Sequence, residues 1–429
     1  MRKQSMETNE KYIPRIVDKL LEFDLRSAGA IWIKGPKSCG KSTTAEQFAR
    51  SSVNMQDADT HDLLVLKAKN GPSAFLDNEP PFLIDEWQEI PFIWNQIKIE
   101  VDKRNEFGQF IITGSKNPPQ KVMEELHSGE GRFTIIVMRP MTLYESGESS
   151  GEISIRSLFN GESPEPAQSK ATPDDYAFYV ARGGWPQAIG KERDVALIQA
   201  VNYYKMLVKT GLSQADGVKR DPAKVDRLLR SYARNCGTQA SYATMGEDVS
   251  SGDGPISENT VASYIKALKN IYVVDESEAW NPNIRSKTAI RTGPTRYFVD
   301  PSLTCAALGL GPEGILSDSR LFGFLFEGLC IRDLRVYAEN IDGTVKHYRD
   351  KNGRECDAVI TLRDNSWAAI EIKLGASKEA IDAAASGLLA LNDDVEGRPP
   401  SFLMVLTATN VAYKRDDGVW VVPLACLGP

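Results

Sequence analysis

The feature that most constrains the fold of this chain is the stretch "GPKSCGKST" at residues 35–43, which matches the pattern GxxxxGK[ST]. It follows the apolar segment "AIWIK" and precedes a segment of helical pattern, which is the strand–loop–helix context that this pattern requires. Its glycines allow backbone N–H groups to surround a phosphate, and the helix N-terminus adds the positive end of its dipole. The pattern predicts a nucleotide-binding loop in an α/β domain with a parallel sheet. The predicted nucleotide-contacting residues are Gly35, Pro36, Lys37, Ser38, Cys39, Gly40, Lys41, Ser42 and Thr43.

Four polar residues in and after this loop predict which reaction it supports, namely the Mg²⁺-dependent hydrolysis of ATP. Lys41 would neutralise the β and γ phosphates of ATP, and the Ser42 hydroxyl would ligate Mg²⁺. The strand "PFLID" ends in Asp85, which can hold Mg²⁺ through water, and Glu86 follows as a base that can polarise the attacking water. Paired carboxylates after such a strand predict ATP hydrolysis, with ATP and Mg²⁺ as the cofactors.

Two further features could contact the γ-phosphate. The strand "GQFIITGS" ends in Thr113 and Ser115, whose hydroxyls could sense this phosphate. Arg132 and Arg139 follow in "GRFTIIVMRP", and either could act as an arginine finger, within the chain or from a neighbouring subunit of an oligomer. An ordinary surface position is the alternative for both arginines.

Composition and charge restrict the class of protein. The 429 residues suffice for roughly two to four domains, and the net charge of −7 argues against a surface that is basic throughout, so any DNA contact must be regional. The six cysteines include no CxxC pair, and no apolar run approaches the roughly 20 residues that span a bilayer. These features predict a cytoplasmic protein without a membrane segment.

The middle of the chain combines basic charge with a helix-and-hairpin pattern. Residues 216–234 carry six basic and three acidic side chains, and residues 285–296 carry four basic and no acidic ones. The helical segment "SENTVASYIKALKNI" precedes two short alternating segments, which is typical of a winged helix. Contact with DNA phosphates is one interpretation, and a protein-binding winged helix with solvated basic faces is the other.

Near the end of the chain, the segment "AAIEIKLG" places Glu371 and Lys373 on one face of a predicted strand. This pair is either a surface ion pair or half of a metal-assisted active site. Asp357 lies fourteen residues before Glu371, on a predicted neighbouring strand. A hairpin could therefore bring both carboxylates to one Mg²⁺ while Lys373 orients or activates water.

Several segments together resemble a family of prokaryotic AAA-like ATPases whose C-terminal domain of unknown function is built like a restriction endonuclease. The segments are "GPKSCGKST", "FLIDEWQ", "FIITGS", "GRFTIIVMRPMTLYE", "ARGGWPQAI" and "GRECDAVI…AAIEIKLG". The resemblance implies a PD-(D/E)xK nuclease-like core with Asp357, Glu371 and Lys373 as catalytic residues. A second Mg²⁺ or Mn²⁺ would be held there by Asp357, Glu371 and the helical Glu327 in "FLFEGL". The stretch "HSGEGR" departs from the shorter Leu-Ala-Gly-Arg type of sequence in that family. This departure weakens the inference from the resemblance that Arg132 contacts the nucleotide.

The expected organisation follows from these patterns and from the resemblance. Residues 1–150 would form an AAA-like P-loop ATPase domain, 151–215 a linker and helical lid, 216–310 a winged-helix-like domain, and 311–429 the nuclease-like domain. Two functions are open at this point. One is a Mg²⁺-dependent, DNA-directed ATPase with a nuclease-like tail, and the other is a nucleotide-dependent switch whose C-terminal domains bind protein partners without cleaving DNA.

Overall fold

The computed structural model confirms the predicted fold class, which is α/β with an N-terminal P-loop NTPase-type parallel sheet, a helical middle and a C-terminal α/β region. The structure describes residues 12–118, 131–249, 256–282, 293–350, 353–375, 377–395 and 397–429. Most of the basic stretch predicted at residues 285–296 lies outside these ranges. None of the helices in the described ranges combines the length and the apolarity that crossing a bilayer requires.

The described residues of the N-terminal region form a five-stranded parallel sheet with accompanying helices. The strands are β1 (Ala30–Lys34), β2 (Ser51–Asn54), β3 (Phe82–Asp85), β4 (Phe110–Gly114) and β5 (Phe133–Val137). The helices are α1 (Val17–Asp24), α2 (Lys41–Phe48), α3 (His61–Asn70), α4 (Pro72–Leu76) and α5 (Ile93–Arg104). The sheet order is β2–β3–β4–β1–β5, and β1, β3 and β4 are apolar and almost entirely buried, as is usual inside a parallel sheet. The carboxyl ends of β3, β4 and β1 therefore lie side by side.

A helical region follows, and it includes a short π-helical turn at Leu207–Gly211. Its helices are α6 (Ile155–Phe159), α7 (Pro173–Arg182), α8 (Arg193–Met206), α9 (Leu212–Asp216), α10 (Pro222–Arg234), α11 (Tyr242–Asp248), α12 (Glu258–Asn270), α13 (Ser302–Leu308) and α14 (Pro312–Ser317). The Ser257 hydroxyl caps α12 by accepting a hydrogen bond from the Thr260 N–H. After α12, Val274 bridges Phe298 and Ser277 bridges Thr295, both in antiparallel fashion; we call these two paired segments the hairpin.

The C-terminal region contains a second sheet, which has seven strands within the described residues. The strands that build the C-terminal region are β6 (Ile153–Ser154), β7 (Ala167–Gln168), β8 (Thr344–Arg349), β9 (Glu355–Thr361), β10 (Trp367–Lys373), β11 (Phe402–Thr407), β12 (Val411–Lys414), β13 (Trp420–Pro423) and β14 (Leu427–Gly428). Its helices are α15 (Ser319–Glu339) and α16 (Lys378–Asp394). The sheet order is β7–β12–β13–β11–β10–β9–β8, and β6 pairs separately with β14. Strand β10 is antiparallel to β9 and parallel to β11, with α16 as the crossover.

The stretch predicted as a linker and lid, residues 151–215, is divided between two hydrophobic cores. Ile153 and Tyr176 are buried in the core of the C-terminal sheet, whereas Trp185 and Tyr204 belong to the core of the helical middle. Strands β6 and β7 pair with β14 and β12. The chain therefore contributes to the C-terminal sheet before it forms the middle helices. The polar composition near residues 160–175 indicates a surface loop, and such a loop does not have to coincide with a domain boundary.

Candidate functional site

The predicted phosphate-binding loop connects β1 to α2 with the backbone conformation that a phosphate cradle needs. Ser38 and Gly40 have positive φ angles of 65° and 102°. When residues in the left-handed conformation alternate with residues in the right-handed one, successive backbone N–H groups point into one concave surface, which can bind an anion. Gly35 lies so close to Met138 that an added Cβ would stand 2.1 Å from the Met138 carbonyl oxygen. Close packing therefore requires glycine at position 35.

The predicted phosphate and magnesium residues meet at the carboxyl ends of β1, β3 and β4. The Ser42 hydroxyl donates a hydrogen bond to Asp85 Oδ1 at 2.7 Å, and the Thr113 hydroxyl donates to the same oxygen. Lys41 is buried, and its ammonium donates to the Pro36 carbonyl at 2.8 Å within the loop. Asp85 is only 8% exposed, and a nearby cation would stabilise its buried charge. Carboxylate and hydroxyl oxygens are ligands that Mg²⁺ prefers, so these residues fit a magnesium site.

Glu86 lies next to this cluster and has a left-handed backbone conformation with a φ angle of 57°. Its N–H donates to the Thr113 hydroxyl at 3.3 Å. Its carboxylate accepts hydrogen bonds from the Ser115 hydroxyl at 3.1 Å and from the side-chain amide of Gln88. These neutral donors orient the carboxylate without cancelling its charge, which suits a group that polarises water. Sequence reasoning does not single out Gln88, although it lies in the "FLIDEWQ" segment.

A cleft of about 350 Å³ separates the loop from the helical middle. Lys37 and Ser38 line its loop side, and Trp185 and Tyr203 line the opposite side. The two aromatic rings stack with their centroids 4.5 Å apart. No sequence pattern selects Tyr203, because it lies in the ordinary helical pattern of α8, and Trp185 entered only through the "GGWP" resemblance. Tertiary packing brings both residues to the predicted ATP site.

Arg132, one predicted arginine finger, lies at the opposite edge of the sheet from the loop of its own chain. Its carbonyl accepts a hydrogen bond from the Ala30 N–H at the start of β1, and its guanidinium pairs with Asp102 at 2.8 Å. Strand β1 has five residues, so at about 3.3 Å per residue the loop begins roughly 15 Å away. The structure therefore does not bring Arg132 to a nucleotide bound by its own chain, because the residue precedes β5 at the edge where the parallel strands begin.

Arg139, the other predicted finger, is buried in ion pairs at a junction of three regions. Its guanidinium pairs with Asp275 of the hairpin at 2.6 Å and with Glu339 of α15 at 2.7 Å. Arg335 of α15 also pairs with Asp275, at 3.2 Å. Burial acts to raise the pKa of Asp275, but the two arginines outweigh burial and lower that pKa to about 2. These contacts tie the N-terminal sheet to the hairpin and to the C-terminal region.

Three of the four residues predicted in the tail, Glu327, Asp357 and Lys373, line one cleft of about 550 Å³, and the fourth, Glu371, adjoins it through its ion pair with Lys373. Asp357 on β9 and Glu371 on β10 lie on adjacent antiparallel strands, each one residue beyond the paired residues Ala358 and Ile370. The Asp357 carboxylate accepts a hydrogen bond from the Ile372 N–H at 2.7 Å, and the Lys373 ammonium donates to the Glu371 carboxylate at 2.8 Å. Glu327 reaches the same cleft from α15. We call this site the acidic cleft.

Burial and neighbouring carboxylates raise the pKa values of the carboxyl groups in the acidic cleft. Burial raises the pKa of Glu327 to about 7, the hydrogen bond that the Tyr297 hydroxyl donates opposes this, and the Glu371 carboxylate adds to it. Burial, followed by Glu327 and Glu371, raises the pKa of Asp357 well above its ordinary value. Burial acts to lower the pKa of Lys373, but the Glu371 carboxylate outweighs it and raises that pKa. Perturbed pKa values of this kind cluster at functional sites.

The acidic cleft lacks a ready set of metal ligands in the described part of the chain. Within the described ranges, no group of three or more His, Cys, Asp or Glu side chains is arranged to hold a metal ion. Glu371 is paired with Lys373, and Asp357 is hydrogen-bonded to a backbone N–H. The structure thus brings the predicted residues into one cleft without placing their oxygens in metal-ligand geometry.

One wall of the acidic cleft comes from the helical middle and its hairpin. Tyr297, Gly237 and Gln239 line the cleft, and the Gln239 amide lies 3.0 Å from the His347 ring of β8. Gly237 has a φ angle of 74°, and an added Cβ would lie 2.8 Å from the Phe324 side chain. No sequence pattern connects these residues with the tail, because the contacts form only when the hairpin packs against the C-terminal sheet.

Three family models match consecutive parts of the chain. Residues 27–146 match an AAA domain, residues 173–314 match a domain of unknown function (DUF8612), and residues 322–427 match a second domain of unknown function (DUF4143). The AAA match covers the loop and the carboxylates described above. The chain is therefore a P-loop ATPase with an AAA-type N-terminal domain.

Individual relatives are distant. The uncharacterized protein Rv2008c of Mycobacterium tuberculosis is 22% identical over 350 residues, which cover 81% of this chain and 71% of that protein. The uncharacterized protein Mb2031c of Mycobacterium bovis gives the same values. Among solved structures, the Walker-type ATPase PabY2304 of Pyrococcus abyssi has a TM-score of 0.42 and 12% identity, and covers 68% of this chain and 94% of its own. The Aeropyrum pernix Orc1 protein in complex with DNA has a TM-score of 0.25 and 13% identity, with 68% and 90% covered. Because both TM-scores are below 0.5, the names of these two structures describe those proteins and carry no argument about this chain.

Proposed function

We propose that ATP hydrolysis by this chain depends on Mg²⁺ and uses Glu86 as the general base. The observation that carries the proposal is the convergence of Ser42, Asp85 and Glu86 beside the loop that contains Lys41. A buried carboxylate that receives only hydroxyl donors among its described hydrogen bonds gains from a bound cation. The Glu86 carboxylate, one residue later, is oriented so that it can accept a proton from a water molecule.

Each side chain has a distinct task in this proposal. The loop N–H groups and the Lys41 ammonium bind and neutralise the β and γ phosphates. Ser42 and Asp85 would hold Mg²⁺, which when bound supplies positive charge beside the triphosphate. Glu86 accepts a proton from the attacking water, and Ser115 keeps the Glu86 carboxylate oriented during this step.

We further propose that the ATPase is directed at DNA and that its C-terminal region is nuclease-like. Exposed arginines on α10, Arg230 and Arg234, support phosphate contact by the middle region. In the acidic cleft, Glu327, Asp357 and Glu371 lie close to Lys373. Glu355, Arg320 and Arg349 also line the cleft. If the side chains of Glu327, Asp357 and Glu371 rearranged to hold a Mg²⁺ or Mn²⁺ ion, the bound ion would offset their negative charge and supply positive charge for a phosphodiester. A cytoplasmic location accompanies this proposal, since the six cysteines are free and buried.

Cleavage assays with the purified chain test the nuclease part of the proposal. We expect Mn²⁺-dependent cleavage of DNA that disappears in Asp357→Ala and in Lys373→Ala. The matched control is Asp416→Ala, because Asp416 is an exposed acid elsewhere in the same region. If wild-type protein with either metal leaves single-stranded, duplex and branched DNA intact while ATPase activity persists, the nuclease proposal is refuted.

The salt dependence of DNA affinity tests the DNA contact. Arg285, Lys287 and Arg291 lie in the predicted basic stretch, outside the described residues. Replacing all three by Ala should weaken DNA binding and lower the log–log slope against salt by about one unit for each phosphate that the variant no longer neutralises. An unchanged slope would favour a protein partner for this region.

A nucleotide-dependent switch is the second candidate function, and the junction at Arg139 favours it. Arg139 lies shortly after β5, and its guanidinium is shared between the hairpin and α15. The ion pairs of the buried Arg139 guanidinium therefore connect the N-terminal sheet to the hairpin and to α15, and a nucleotide could shift these ion pairs between two arrangements. We expect ATP to change the hydrogen-exchange rates of residues 273–279 in the wild type but not in Asp275→Asn. Identical exchange with and without nucleotide in the wild type would exclude this switch.

A further inference from the structure

Arg15, which lies shortly before α1, is buried against the phosphate-binding loop. Its Nη1 donates a hydrogen bond to the Cys39 carbonyl at 2.9 Å, and its Nη2 donates to the Arg139 carbonyl at 2.8 Å. Its Nε donates to the Glu145 carboxylate at 3.0 Å, and the side chain is 5% exposed. The planar guanidinium thus joins the loop, the chain after β5 and a buried carboxylate.

The contact with Cys39 determines the direction of a phosphate-binding group. In a trans peptide the C=O and the following N–H point in opposite directions. Because Arg15 holds the Cys39 carbonyl, the Gly40 N–H of the same peptide group points away from the Arg15 guanidinium. Gly40 is the N-cap of α2, where N–H groups have no partner within the helix and are available to an anion.

Glu145 fixes the position of the guanidinium. Besides Arg15, its carboxylate accepts hydrogen bonds from the Ile16 N–H at 2.8 Å, from the Thr142 N–H at 2.8 Å and from the Thr142 hydroxyl at 3.1 Å. A buried carboxylate with this many donors has one defined orientation. The Arg15–Glu145 pair is consequently a rigid support, and its third partner is the nucleotide loop.

We propose that Arg15 is a positioning residue for ATP, and this inference rests on the assignment of the chain as a P-loop ATPase. Through the Cys39 carbonyl, Arg15 sets the Gly40 N–H in its phosphate-binding orientation before the nucleotide arrives. Through the Arg139 carbonyl, the same side chain fixes the loop relative to the chain segment that carries the junction ion pairs. A buried ion pair with a purely structural role would affect unfolding without a specific effect on nucleotide affinity.

Calorimetric titration of MgATP into the full chain, combined with steady-state ATPase kinetics, tests this inference. In Arg15→Lys the charge is kept, but one ammonium cannot reach three diverging acceptors. We expect the Kd and the KM for MgATP to rise at least about tenfold, as for removal of a hydrogen bond to a charged ligand, while kcat changes by less than about threefold. Arg26→Lys is the matched control, since Arg26 is exposed near the end of α1, and both constants should stay at wild-type values.

A second variant keeps the test decisive if Arg15→Lys does not fold. Glu145→Gln retains the Arg15 guanidinium but weakens its support, and we expect a severalfold rise in Kd in the same direction. The inference is overturned if Arg15→Lys is folded and binds MgATP within about threefold of the wild type. It is equally overturned if Arg15→Lys unfolds and Glu145→Gln binds MgATP as the wild type does. Because Kd is measured directly, a wild type that binds MgATP without turnover would refute hydrolysis and leave the test of Arg15 intact.

Discussion

Replacing Glu327 with glutamine should stabilise the protein at pH 8, and the gain should depend on pH. Burial and the nearby Glu371 raise the pKa of Glu327 from 4.5 to about 7, against the lowering effect of the Tyr297 hydroxyl. The folded state therefore binds this proton more tightly than the unfolded state does. The free energy of unfolding falls as the pH rises from about 4.5 to about 7. Above the folded-state pKa, the destabilisation caused by ionised Glu327 is fully present.

The size of the effect follows from this shift. At about 1.4 kcal/mol per pKa unit, ionising Glu327 costs up to about 3 kcal/mol of unfolding free energy above pH 7. Between pH 6 and pH 8 the cost grows by about 1 kcal/mol, because the carboxyl group is still mostly protonated at pH 6. Glutamine has the shape of the protonated acid, and its carbonyl can still accept the hydrogen bond from Tyr297.

Thermal unfolding at pH 6 and pH 8, with a chelator present to remove divalent cations, measures this prediction. The midpoint of Glu327→Gln should exceed that of the wild type at both pH values, and by more at pH 8. Glu313→Gln is the matched control, because Glu313 is an exposed acid on the neighbouring helix α14. A Glu327→Gln protein that is less stable than the wild type at pH 8, or a difference that does not grow with pH, would refute the reasoning.

The remaining predictions concern the nucleotide and the acidic cleft. Lys41→Ala should raise the Kd for MgATP at least about tenfold in calorimetry, because the phosphate charge loses its buried ammonium, and equal affinity would contradict this role. Glu86→Gln should keep ATP binding and lower turnover about 10²-fold or more, because an amide cannot accept the proton, whereas unchanged phosphate release would assign the base elsewhere. Added Mn²⁺ should raise the unfolding midpoint of the wild type at pH 8 but not that of Asp357→Asn, and equal shifts would exclude Asp357 as a ligand.

The nucleotide site could be predicted from the sequence because its determinants are local. Gly35, Lys41 and Ser42 have fixed spacing in a loop after one buried strand, and Asp85 ends another. Neighbouring parallel strands end at the same edge of a sheet, so residues at strand ends meet without further information. Asp357 and Glu371 likewise lie on adjacent strands, β9 and β10, just beyond the pair Ala358–Ile370, as the alternating sequence pattern predicts.

Sequence reasoning fails where sheet order and long-range packing determine which residues lie near the nucleotide loop. Arg132 precedes β5, and only the pairing of β5 with β1 shows that this point lies at the edge away from the nucleotide loop. Trp185 and Tyr203 reach the loop only because α8 packs over it. The division of residues 151–215 between two cores depends on which strand edges are available for β6 and β7.

The sequence by itself determined the P-loop ATPase class and the residues of its loop, because a phosphate cradle is built from consecutive backbone groups whose conformation nearby glycines permit. Only the tertiary structure decided which side chains support that loop and which regions it is connected to. The hydrogen bond between Arg15 and Glu145 joins residues 130 positions apart, and the one between Arg139 and Asp275 spans 136 positions. Such pairs leave no local pattern, because their energy comes from burial that arises only after the sheets and helices have packed.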